Sequence, residues 1–138
     1  MGSRMTGRRP RGLLDTCVVI DLPLIDSGLL PVEAAVSSIV LAELTQGVAM
    51  TRDPAEMMAR AQRLADVEAE FAAIPFDREA ARRFGTLVAL TVKANRNPRP
   101  RRMDLLIAAT ASAHGLPLFT RNAGDFKGLE QGVEIISV

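Results

Sequence analysis

The stretch Arg101-Arg102-Met103-Asp104-Leu105-Leu106-Ile107-Ala108-Ala109-Thr110-Ala111-Ser112-Ala113-His114-Gly115 decides how this chain folds. From Leu105 to Ala113 every residue is apolar or small, which predicts a helix that is hydrophobic nearly all round and packed inside a domain. Asp104, in its first turn, is out of place there unless something needs it. A helix N-terminus favours negative charge by ~0.3–1 kcal/mol, whereas desolvating a carboxylate costs several kcal/mol unless it is paired or metal-bound. The partner that Asp104 requires must come from elsewhere in the chain.

Before this helix, Lys93, Arg96, Arg99, Arg101 and Arg102 fall within ten residues that contain no acid. Such a run is a solvated loop or a phosphate-contacting segment, and here it abuts Asp104. After the helix, His114-Gly115 forms its end and Leu116-Pro117-Leu118-Phe119-Thr120 predicts a strand. The segment Arg121-Asn122-Ala123-Gly124-Asp125-Phe126 then places Asp125 in a loop just past that strand's carboxyl end. Val133 to Val138 predicts a terminal strand.

Toward the N-terminus, Leu13-Leu14-Asp15-Thr16-Cys17-Val18-Val19-Ile20 suits a buried parallel strand running into a turn or helix near Asp15 to Val18. Ala34 to Ser38 predicts a second strand ending in a serine cap, and the helix that follows carries Glu43 in its second turn. Asp53-Pro54-Ala55-Glu56 combines an N-cap, a first-position proline and an acid, opening a long helix to about Ala72. Met57, Met58, Leu64 and Phe71 form a stripe on it, readable as plain core or as part of a groove. Ala73-Ile74-Pro75-Phe76 is a short extended stretch, at an edge or a strand end because of Pro75, and Asp77 caps a helix from Arg78 to about Ala94. Helices alternating with strands argue for an α/β domain: a mainly parallel central sheet with helices on both faces.

The 138 residues suit one domain, with 48% hydrophobic residues and a net charge of +1 that excludes neither acidic nor basic partners. Met1-Gly2-Ser3-Arg4, ahead of Met5, looks like an expression-vector scar. Residues 1–11 are therefore set aside as scar and flexible basic arm, and 12–138 as the domain. A single cysteine, Cys17, no secretory pattern and no membrane-spanning run lead to the expectation of a cytoplasmic protein that does not enter the membrane.

Asp15 and Asp125 sit past strand ends, and Glu43 and Asp104 in the early turns of helices. In an open parallel sheet these places face one crevice, where ligands bind. Converged carboxylates repel, and a hard divalent cation removes that conflict. Oxygen ligands without His or Cys favour magnesium or manganese over zinc, and such a site commonly hydrolyses phosphate esters. Taken singly, each acid has a plainer reading: a strand-end turn residue for Asp15, an exposed helix position for Glu43, a dipole partner for Asp104, an Asx-turn for Asp125.

The four stretches Leu13-Leu14-Asp15-Thr16, Val36 to Leu44, Asp104 to Ala111, and Thr120 to Phe126, taken in order, resemble the motifs of PIN-domain ribonucleases, most closely the VapC-type toxins of bacterial toxin-antitoxin modules. The resemblance spans essentially the whole chain. It implies a PIN-like three-layer fold and an endoribonuclease dependent on Mg2+ or Mn2+, with Asp15, Glu43, Asp104 and Asp125 holding the metal and orienting its water. Thr16, Ser38 and Thr120 would be supporting hydroxyls, and Asn122 stands where many PIN domains have another acid, so it could ligand but not act as a base. Arg99, Arg101 and Arg102 become candidates for steering RNA. The resemblance further implies a homodimer held inactive by an antitoxin whose helical segment crosses the toxin's helices.

Other chemistries fit less well. His114 closes a buried helix, Cys17 has no flanking base, and neither Gly-rich phosphate motif occurs. With no Trp or Tyr, recognition of single strands by base stacking alone is disfavoured. An aspartyl-phosphate phosphatase or receiver domain would want a second acid two residues after Asp15, where Cys17 stands. The non-enzyme alternative is a catalytically inactive PIN-like module that binds RNA or a partner.

Overall fold

The structure, a computed structural model, describes residues 7–138. The Met-Gly-Ser-Arg segment and the start of the basic arm lie outside the described residues. The strands are β1 (Arg11–Leu14), β2 (Glu33–Ser37), β3 (Ala72–Ile74), β4 (Leu118–Thr120) and β5 (Ile135–Ser137). Between them run α1 (Thr16–Ile20), α2 (Ser38–Met50), α3 (Pro54–Glu70), α4 (Arg78–Lys93) and α5 (Arg102–Ala113). All strand pairs are parallel, in the order β3-β2-β1-β4-β5.

That order creates the functional edge. The chain moves outward from β1 through β2 to β3, then returns through α4 and α5 to place β4 on the other flank of β1. Right-handed crossovers in opposite directions put α1–α3 and α4–α5 on opposite faces, which gives three layers. The carboxyl ends of β1 and β4 diverge at this switch point and leave a crevice. Leu13 and Leu14 are fully buried and pair with Leu118 and Phe119, so the crevice floor is the best-packed part of the sheet.

Local chemistry explains most element starts. Asp15, Ser37, Asp53 and Asp77 each accept a hydrogen bond from the first turn of α1, α2, α3 and α4. α5 differs: it is entered from a 3-10 turn, Arg99–Arg101, and no side chain caps it. Its inner residues Leu105, Ile107, Ala108, Ala109, Thr110 and Ala111 are buried, as an all-round apolar helix requires.

As expected, the first strand runs into a helix at Asp15: β1 stops at Leu14, Asp15 caps the next turn, and Val18 and Val19 are helical because their burial outweighs propensity. One boundary and one burial pattern depart from the sequence reading. The terminal strand begins only at Ile135, because Gly132 and Val133 donate back to the Leu129 carbonyl in a turn. On α3 the stripe divides: Met58 is 74% exposed and Met57 39%, while Val67 is buried and Leu64 and Phe71 pack partly on the core.

Gly12 in β1 lies under the ring of Phe119; a Cβ there would stand 2.4 Å from Phe119 Cε1 and 3.1 Å from Pro31. Gly12→Ala is therefore expected to destabilise the domain by about 1–3 kcal/mol through overpacking. The check is a lower urea midpoint with an unchanged slope; an unmoved midpoint would mean the Phe119 ring swings aside freely.

Candidate functional site

Asp15 ends β1 with extended backbone and is only 5% exposed. Oδ1 accepts from the Thr16 N–H at 2.9 Å, and Oδ2 accepts from the Thr120 hydroxyl at 2.8 Å and the Cys17 thiol at 3.3 Å. Donors of this kind offset the cost of burying the carboxylate. Thr120 can serve because β4 pairs beside β1, with Leu14 opposite Phe119. Its oxygen in turn accepts the Asn122 N–H at 3.0 Å, which fixes how the loop leaves β4.

Glu43 reaches the same region from α2, where Oε1 accepts the Thr16 hydroxyl. Asp104 approaches from α5. Burial, and then the charges of Asp15, Asp125 and Glu43, push its carboxyl up from the ordinary 3.8 to about 6, opposed by Arg101. One carboxylate thus feels all three others. Asp125, 48% exposed at its side chain, lies in the 3-10 turn Ala123–Phe126. Arg101 Nη1 donates to its carbonyl at 3.2 Å and stands 3.4 Å from Oδ1.

The supporting residues divide. Thr16 and Thr120 touch the acids, whereas the Ser38 hydroxyl accepts the Phe76 N–H at 3.2 Å and ties the start of α2 to the segment after β3. Asn122 is exposed, and its side chain has no hydrogen bond among the described residues. Arg99 and Arg102 are exposed, while Arg101 is turned onto Asp125. Contacts that the motifs do not signal also occur. Cys17 sulfur accepts the Arg121 N–H at 3.4 Å, Arg121 pairs with Asp21 at 3.2 Å, and burial pushes the Cys17 thiol up, away from a nucleophile's role.

Among the described residues no three His, Cys, Asp or Glu side chains converge closely enough to form a ready-made metal shell. The chemistry of the donor set nevertheless fits a hard divalent cation: carboxylate oxygens from four elements, three of them adding to the cost of ionising Asp104.

The displaced ionisation of Asp104 has a definite sign. Its folded value exceeds the ordinary one, so the native state holds the extra proton between the two, and stability present at low pH is lost as pH rises through about 6. In EDTA, Asp104→Asn should melt about 3–6 °C above the parent near pH 7.5, a gap that closes near pH 4. A pH-independent gap would mean that Asp104 is not under this charge pressure.

Comparison with known proteins bears on the same residues. The PIN domain profile matches residues 13–130. The chain is 39% identical over 136 residues to Ribonuclease VapC5 of Mycobacterium tuberculosis, covering 92% of this chain and 95% of that protein. It is 32% identical over 106 residues to Ribonuclease VapC1 of Rickettsia felis, covering 77% of each. Among solved structures it matches VapBC-5 from Mycobacterium tuberculosis, a member of the VapBC family of toxin-antitoxin systems. That match has a TM-score of 0.83 and 34% identity, covering 94% of this chain and 99% of the other. With the profile spanning the acids from Asp15 to Asp125 and both curated relatives being VapC ribonucleases, the chain belongs to the PIN-domain family, in its VapC branch.

Proposed function

We propose that this protein is a divalent-metal-dependent endoribonuclease and the toxin of a toxin-antitoxin pair. The observation that supports the reading is that Thr16 joins Asp15 to Glu43 through its N–H and its hydroxyl, while half-buried Asp104, pushed up first by burial, also feels the charges of Asp15, Asp125 and Glu43. Asp15, Glu43, Asp104 and Asp125 would hold Mg2+ or Mn2+. When bound, such an ion polarises a phosphoryl oxygen and lowers the pKa of water. The chain's own groups do the positioning: Thr120, Cys17 and the Thr16 N–H orient Asp15, and the Thr16 hydroxyl orients Glu43. Arg101 holds Asp125, which leaves exposed Arg99 and Arg102 for the RNA backbone.

VapBC-5 is a member of a family of toxin-antitoxin systems, and a related structure from Klebsiella pneumoniae is a toxin-antitoxin complex. For this chain a cognate antitoxin fits the groove between α1 and α3, lined by Val19, Ile20, Val67 and Phe71 with Arg63 and Glu70 at its rim. A neighbouring groove shares Ile20 and Arg63 and runs on to Thr16 and Glu43, so a helical segment lying in the first could reach the acids through the second. A homodimer working in the cytoplasm completes the proposal; no helix among the described residues is long and apolar enough to cross a membrane.

Purified, partner-free protein should cleave structured RNA with Mg2+ or Mn2+ and not with EDTA. Asp15→Asn should lose more than the roughly 10–100-fold that follows from removing a supporting partner. Absent cleavage by the parent would favour the inactive binding module instead, and metal-independent cleavage would overturn the metal-dependent reading. A second measurement concerns the loop. Replacing Arg99 and Arg102 by Ala should weaken RNA binding and flatten its dependence on log salt by about 0.7 per arginine. An unchanged salt slope would remove them from the RNA path.

A further inference from the structure

Asp125 is carried by a loop with little regular structure of its own. The turn Ala123–Phe126 has four residues and few backbone bonds of its own: the Asp125 N–H donates to the Asn122 carbonyl at 2.9 Å and the Lys127 N–H to the Gly124 carbonyl at 3.3 Å. Phe126, 1% exposed, anchors the turn in the core.

Arg101 grips the turn at Asp125 itself, and Arg96 supplies a further attachment on either side of it. Its Nη1 donates to the Gly124 carbonyl at 3.1 Å and to the Lys127 carbonyl at 3.0 Å, the two carbonyls that bracket Asp125. The approach is prepared by the backbone at the end of α4. Asn95 takes a left-handed φ of 61°, and the Arg96 N–H donates back to the Thr91 carbonyl at 3.0 Å. On the other side Gly128, with φ of 96°, packs so closely that an added Cβ would lie 2.9 Å from the Ala94 Cβ. The end of α4 and the Asp125 loop therefore meet through a guanidinium bridge and a side-chain-free contact.

We propose that Arg96 is a positioning residue for Asp125: its bridge to Gly124 and Lys127 sets where the Asp125 carboxylate stands and so governs the affinity of the acidic site for a divalent cation. This rests on the metal-dependent reading of the four acids. It also separates Arg96 from the exposed Arg99 and Arg102, because both hydrogens of its Nη1 are spent on protein carbonyls. Positioning and simple charge predict opposite signs. Removing a cation near an acidic cluster should by charge alone tighten binding of Mn2+, whereas losing the bridge should weaken it.

The test is calorimetric titration of Mn2+ into the full chain, with melting temperatures in EDTA measured alongside. Arg96→Ala should weaken Mn2+ binding by about 10-fold or more, the range seen when partners behind a ligand are removed. Arg96→Lys, which keeps a donor but not the planar fork, should recover part of it. Lys127→Ala removes a neighbouring charge while keeping the carbonyl that Arg96 uses, and should bind Mn2+ no more weakly than the parent. Should Arg96→Ala fail to fold, Arg96→Met keeps the apolar stem and carries the same expectation. Unchanged or tighter Mn2+ binding in the Arg96 variants overturns the inference, as does an equal loss in Lys127→Ala. A parent that binds no Mn2+ at all overturns the metal-dependent reading, and this inference with it.

Discussion

A carboxylate buried where two neighbouring parallel strands part company is the constraint on which the rest of this structure depends. Leaving Asp15 at 5% exposure would cost several kcal/mol if it met only apolar walls. Its donors come from different places: the first N–H of α1, the hydroxyl that ends β4, and the thiol in the first turn of α1. Two of these are local to Asp15, but Thr120 is available only because the chain has travelled out to β3 and come back to pair β4 against β1. Sheet order and a single hydrogen bond are in this sense one fact. A different return would leave the carboxylate without its strongest side-chain donor.

Around that fixed centre the site becomes progressively looser. Asp15 is held by several donors inside the crevice, Asp104 is half-buried and under repulsion, and Asp125 stands half in solvent on a short turn. Free energy stored in the repulsion is available to a ligand that relieves it, which is how an acid cluster converts the cost of its own assembly into affinity for a cation. The outermost acid is also the one that needs most external support. Arg101 meets Asp125 directly and Arg96 meets the carbonyls on either side, so part of the basic segment is consumed in building the site. Lys93, Arg99 and Arg102 face outward without such duties.

Much of this was legible in the residue order because the relevant physics is local. Asp53 before Pro54 and Asp77 before Arg78 mark helix starts through bonds within one turn, and the structure places both helices there. The apolar run after Asp104 predicts a buried helix for the same reason. Where the pattern misled, a distant contact was responsible. Met57 and Met58 look like core until the packing of α3 turns them to solvent.

By itself, then, the sequence determined the alternation of helices and strands, the caps that start them, and which acids stand at the ends of elements, since each follows from interactions a few residues long. Only the tertiary structure decided that the Thr120 hydroxyl would lie 2.8 Å from an Asp15 oxygen 105 residues away, that Ser38 would serve Phe76 instead of the acids, and that the basic segment would split between Asp125, its flanking carbonyls and solvent. Those outcomes depend on which elements become neighbours in space, a property of the crossover connections and of core packing that no short window of sequence contains.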